Sequence, residues 1–127
     1  NFDYYQIYDS NPEQIKNIKQ KYNKKIISAI TLENKQDLNK YKDFLPFSEI
    51  ILFDSKGYEN SVGFNHNLLR NIPSNFKKMI AGNIKIDDIL NFKNKEYIID
   101  VSGGLEDTCG KKSISKIDEF LNKVNEL

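Results

Sequence analysis

Five short apolar runs rich in Ile, Phe and Tyr alternate with longer amphipathic stretches, and this alternation constrains the fold more than any other feature of the chain. The runs are Asp3–Tyr8, Lys25–Thr31, Glu49–Asp54, Lys77–Ala81 and Glu96–Val101. Ile26-Ile27 and Ile50-Ile51-Leu52-Phe53 are continuous rather than alternating, as in strands buried on both faces. The intervening spacing predicts helices over Pro12–Tyr22, Glu33–Phe44, Asn67–Asn71, Ile86–Phe92 and Ile114–Val124. Ser10 or Asn11 stands where it would cap the first helix, and Pro12 falls in its first turn, where a missing N–H costs nothing. The last helix carries the clearest apolar stripe, Ile114, Ile117, Phe120, Leu121 and Val124. A parallel neighbour can be reached only by crossing a face of the sheet, so strands alternating with helices imply βαβ units. The expected class is α/β, a parallel sheet covered by helices in one domain over residues 1–127.

Composition removes several functions. A chain of 127 residues, 39% of them hydrophobic, is sized for one domain with a core. Nineteen basic against eighteen acidic side chains leave a net charge of +1, too little to hold nucleic acid or an anionic membrane through a whole-domain field. The single cysteine, Cys109, excludes an internal disulfide and a CxxC-type zinc site, and the single histidine, His66, excludes a His-rich metal centre. No apolar run approaches the roughly 20 residues that span a bilayer. A cytoplasmic, metal-free protein is expected, with no nucleic-acid or membrane partner, and its oligomeric state cannot be read from the sequence. The chain opens with Asn1 directly before its first strand, which suggests a cut end.

In parallel α/β folds, working residues collect at the C-terminal ends of strands. Here the third run ends in Phe53-Asp54-Ser55, the fourth in Ala81-Gly82-Asn83 and the fifth in Asp100-Val101-Ser102-Gly103-Gly104-Leu105-Glu106. Small residues leaving a sheet let main-chain N–H groups approach a phosphate, and two such turns on successive strands could clamp one. Either glycine turn alone reads more readily as a merely permissive loop, a reading that weakens when the two stand on successive strands. Asp54, after four apolar residues, would face the mouth of the sheet partly desolvated, as a general acid requires; the same position also suits a helix cap or a turn former.

Taken in order, Tyr5-Gln6-Ile7-Tyr8, Ile50-Ile51-Leu52-Phe53-Asp54, Ile80-Ala81-Gly82-Asn83-Ile84, the Asp100–Glu106 segment and Gly110-Lys111-Lys112 resemble the second half of the phosphoribosylanthranilate isomerase family of tryptophan biosynthesis. That family is a (β/α)8 barrel, and the resemblance implies that the five runs are barrel strands four to eight, with three N-terminal βα units missing. It implies an Amadori rearrangement of N-(5-phosphoribosyl)anthranilate to 1-(2-carboxyphenylamino)-1-deoxyribulose 5-phosphate, without cofactor. The family's general acid aligns with Asp54; its general base is a cysteine on barrel strand one, absent here. Cys109 lies after the last strand and is expected to be buried or incidental, and His66 to be a loop or packing residue. The substrate phosphate would be held by Gly82, Asn83, Ser102, Gly103 and Gly104. Several positions depart from the family pattern. Asn83 replaces a glycine, which suits a left-handed position, and Gly103 replaces a serine. Tyr8-Asp9 replaces His-Gly, where a carboxylate at Asp9 would repel an anionic substrate. Residues 57–63 replace a glycine-rich loop, and Glu59 brings a second such carboxylate. The isolated chain is expected to be inactive and unstable or self-associating. Two alternatives remain: another phosphate-binding barrel enzyme, and a flavodoxin-like, receiver-type binding module.

Overall fold

The computed structural model describes residues 1–55, 66–93 and 95–127, with the backbone alone for His66, Asn67 and Leu68. Five strands, β1 (Tyr4–Ile7), β2 (Lys25–Thr31), β3 (Ile50–Asp54), β4 (Lys77–Ala81) and β5 (Tyr97–Ile99), form one sheet in the order β1-β2-β3-β4-β5. Every pair is parallel, with Thr31 beside Asp54 and Asp54 beside Ala81 in register. This order decides against the flavodoxin-like alternative, whose strands run 2-1-3-4-5 with helices on both faces.

All five runs form strands, but the first and last are shorter than their apolar patterns. Asp3 and Tyr8 lie outside β1, and Glu96, Asp100 and Val101 outside β5. Among the described residues each of these two strands pairs on one side, β1 with β2 and β5 with β4.

Helix α1 (Pro12–Tyr22) forms as expected. Asn11 caps it through a reciprocal box with Gln14, both bonds 2.9 Å, and Asn23 closes it with φ 49°. The stretch Glu33–Phe44 is not one helix: a 3₁₀ segment over Lys35–Lys40 passes into a single α-turn, α2 (Tyr41–Phe44), and a further 3₁₀ turn at Leu45–Phe47. Asn34 and Asp37 anchor the start through a second capping box, while Pro46 supplies no N–H to continue a helical ladder. Residues His66–Asn71 and Ile86–Phe92 are likewise 3₁₀, and α3 (Ile114–Asn125) closes the chain.

The two faces of the sheet differ. Ile30, Ile51, Phe53 and Ile80 point to the outer face, where Tyr41, Leu69, Ile89, Phe92 and Phe120 from the crossovers cover them. Tyr41 stacks on Phe76 at 5.2 Å and meets Phe53 edge-on at 6.2 Å. The opposite face gathers Ile27, Ile50, Leu52 and Ala81 with Ala29 and Met79, strand residues only. Ile51, Leu52 and Phe53 are fully buried. At about 1.5–3 kcal/mol for each such side chain, β3 is the anchor of the fold. At its N-terminal end Glu49 ties three elements, pairing with Lys19 of α1 and accepting from the Ile26 N–H of β2 at 2.6 Å. Burial alone would raise this carboxyl, but the two donors outweigh it and hold the group below the usual carboxylate range.

Candidate active site

The C-terminal ends of β1, β3, β4 and β5 open on one cleft of about 500 Å³. Asp54, the last residue of β3, is 8% exposed. Its backbone carbonyl accepts the Leu32 N–H at 2.8 Å, and its side chain follows Ile50 and Leu52 onto the inner face by strand alternation. Tyr8, leaving β1 on the same face, donates its hydroxyl to Asp54 Oδ2 at 3.1 Å. Burial first, then the negative charges of Asp54 and Asp100, push the Tyr8 phenol up to about 12, while a hydrogen bond from Gln6 pulls the other way.

Behind Asp54, Ser55 latches two strands: its N–H donates to Ala81 O at 3.2 Å and its hydroxyl to Gly82 O at 3.0 Å. Gly82 (φ 95°) and Asn83 (φ 48°) then turn the chain through consecutive left-handed conformations, so the asparagine stands where such a residue is tolerated. A Cβ on Gly82 would lie 2.4 Å from Ser55 Oγ and 2.9 Å from Asp54 Oδ1, so only glycine lets this turn sit against the carboxylate.

After β5, Ser102 leads into a 3₁₀ turn at Gly103–Leu105, whose first N–H groups have no acceptor within the turn. A Cβ on Gly104 would meet Ile84 O at 2.5 Å, so the two turns touch backbone to backbone; Gly103 has open space around it. Lys112 braces the second turn, donating to Ser102 O at 2.9 Å and Ser102 Oγ at 3.0 Å while pairing with Glu106.

All six residues singled out from the sequence, Asp54, Gly82, Asn83, Ser102, Gly103 and Gly104, therefore line one cleft. Tyr8 and Asp100 line it too, and sequence reasoning gave neither a role. Asp9 does not: it is left-handed, with φ 53°, and borders a separate hollow with Lys40 and Asp37. Cys109 is exposed rather than buried, in a loop held by its backbone N–H on Asp107 Oδ1 at 2.8 Å. Residues 57–63, Glu59 among them, and the His66 side chain lie outside the described residues. Among the described residues, no group of three or more His, Cys, Asp or Glu side chains could hold a metal ion, and no helix is long and apolar enough to cross a membrane.

A family model described as N-(5'phosphoribosyl)anthranilate (PRA) isomerase matches residues 1–123. The chain belongs to this family. Curated relatives named N-(5'-phosphoribosyl)anthranilate isomerase include one from Rhizobium leguminosarum bv. trifolii, 29% identical and covering 93% of this chain and 57% of its own length. Another, from Rhizobium johnstonii, is 30% identical over 91% of this chain and 56% of its own. The chain thus spans little more than half the length of these relatives. The crystal structure of phosphoribosyl anthranilate isomerase from Thermotoga maritima superposes with a TM-score of 0.79 at 22% identity, over 99% of this chain and 63% of that one, a likeness of fold.

Proposed function

We propose that the chain is the portion of a phosphoribosylanthranilate isomerase that corresponds to strands four to eight of a (β/α)8 barrel, and that it works in the cytoplasm without a cofactor. The substrate is N-(5-phosphoribosyl)anthranilate. Asp54 is the general acid that protonates the furanose ring oxygen, and the base that removes the C2 proton of the opened imine is a cysteine supplied by barrel strand one. Backbone amides at Gly82, Asn83, Ser102, Gly103 and Gly104 hold the substrate phosphate. The observation that carries this reading is the meeting of a buried carboxyl group and two touching glycine turns in one cleft, at the strand ends where barrel enzymes work.

The partial barrel is supported by where apolar surface is left bare. Among the described residues the large exposed apolar side chains gather at two ends of the sheet. Phe2, Tyr4, Tyr8 and Tyr22 lie around β1 and α1, Ile98, Ile114, Leu121 and Leu127 around β5 and α3, and Leu90 elsewhere. Closing a barrel through those two edges would cover both groups.

The test is substrate consumption, followed by the loss of anthranilate-type fluorescence. The chain alone should show no turnover, and a mixture with a polypeptide supplying barrel units one to three should show it. Isotope-edited spectra of the chain with inorganic phosphate should shift the amides of residues 82–84 and 102–104. Turnover by the chain alone would overturn the missing-base assignment. An assembled barrel that binds phosphate at these turns yet leaves the substrate untouched would overturn the isomerase assignment.

A further inference from the structure

We infer that Tyr8 is the positioning residue of Asp54: its hydroxyl holds Oδ2 and so fixes the rotamer in which the carboxyl group meets the cleft. The inference rests on the isomerase reading above and names a part of the site that the sequence pattern does not supply, since this position departs from the family's histidine.

Three observations carry it. The bond spans 46 residues and joins the ends of two strands separated by β2, so it forms only when the sheet is in register. The carboxyl group is confined from the other side by Gly82, where a Cβ would stand 2.9 Å from Oδ1, so the rotamer that Tyr8 holds is one the turn admits only because the residue there is glycine. Tyr8 is itself set from two sides, by Gln6 two residues earlier in the chain and, after burial, by the negative charges of Asp54 and Asp100, and burial and those charges favour its neutral, donating form. A neutral donor held against a carboxylate stabilises the charge that appears on Asp54 once its proton has gone, and it costs no reorganisation at that moment.

The role predicts coupled behaviour. In the chain labelled with ¹³C-tyrosine, the Tyr8 resonance is identified by its absence in Tyr8→Phe, and its ionisation is followed from pH 10 upward. Asp54→Asn should increase the ionised fraction at a given pH, and by more than Asp100→Asn does, because it removes both a charge and an anionic acceptor. In the chain assembled with barrel units one to three, Tyr8→Phe should lower kcat about tenfold while KM changes less than twofold. The dependence of kcat on pH should differ between Tyr8→Phe and the parent, because the variant lacks the donor to Oδ2. Tyr8→His, which keeps an N–H donor, should recover most of the rate. Equal Tyr8 ionisation in the parent chain and Asp54→Asn, or a Tyr8→Phe rate and pH profile like the parent's, overturns the inference and leaves the isomerase reading standing. Coupled ionisation in a barrel that binds phosphate but does not isomerise overturns the isomerase reading, and the role of Tyr8 with it.

Discussion

At the scale of single residues, the cleft is built from a few positions where one atom more would not fit. Gly82, Gly103 and Gly104 look alike in sequence, yet a Cβ would strike Ser55 and Asp54 at the first, meet nothing at the second, and strike Ile84 O at the third. Gly103→Ser, which restores the family's residue, should leave the urea midpoint unchanged, whereas Gly104→Ala should lower stability by about 1–3 kcal/mol because the obstacle is backbone and cannot turn aside. Equal midpoints for the two variants would mean that the turns do not touch as described. Asp54→Asn keeps the shape of the acid and removes its proton; in the assembled barrel it should reduce kcat by about 10²–10⁴ with KM nearly unchanged, measured by steady-state fluorescence. Asp54 and Asn83 were legible in the sequence because each lies at a strand's C-terminal end, Asp54 as the last residue of β3 and Asn83 two residues past β4, where local chemistry speaks for itself. The Tyr8–Asp54 bond was not, because it depends on two registers across β2 and on the parity that turns both side chains inward. The crowding at Gly104 was hidden for the same reason: it is set by the backbone of Ile84, some twenty residues earlier in the chain.

At the scale of elements, short-range patterns identified the strands and the two long helices, and were least informative about the crossovers. The apolar spacing of Glu33–Phe44 fits an α-helix, but Asn34 and Asp37 fasten its start as a 3₁₀ turn that hydropathy cannot distinguish from α. Asp37 is buried, accepts the N–H groups of Glu33 at 2.8 Å and Asn34 at 3.0 Å, and pairs with Lys40 at 2.7 Å. The Lys40 contact first, then the two backbone donors, prevail over burial and hold its carboxyl below the usual carboxylate range. A folded-state value below the unfolded one near 3.9 means stability that is present in full above that value and lost as pH falls through the folded value. Asp37→Ala should therefore cost about 1 kcal/mol at pH 7, the worth of a capping interaction, and the gap between variant and parent should narrow in acid, as pH falls below the unfolded value. Urea titrations at pH 7 and in acid check this; a gap that persists undiminished in acid would show that packing, not charge, is what Asp37 contributes.

At the scale of the whole molecule, the sheet has one finished face and two unfinished edges. The alternation of runs and helices was enough to read a parallel α/β sheet, but strand order was not in the pattern: five βα units thread equally well as a doubly wound sheet, and only the sequential order with crossovers on one face separates the two. On the barrel reading proposed above, the side chains left bare at the two ends of this order are what closure would cover. On α3 the apolar stripe runs past the core: Phe120 is buried, whereas Ile114 and Leu121 are 77% and 54% exposed. At the far end Phe2, Tyr4 and Tyr22 stand open beside β1, whose outer edge pairs with nothing among the described residues. An unpaired parallel edge flanked by apolar side chains is an association hazard, and any partner that supplies both a strand and a helix face removes it. The chain alone should therefore sediment as dimers or larger species whose proportion rises with concentration. Adding a polypeptide with barrel units one to three should replace them with a one-to-one complex. Ile114→Lys with Leu121→Lys should weaken both associations, because the charges lie on the flank of α3 rather than in the core, and the far-ultraviolet spectrum should stay unchanged. A chain that sediments as a monomer at every concentration, and ignores the added units, would mean that these edges are covered from within and that the five strands are sufficient by themselves.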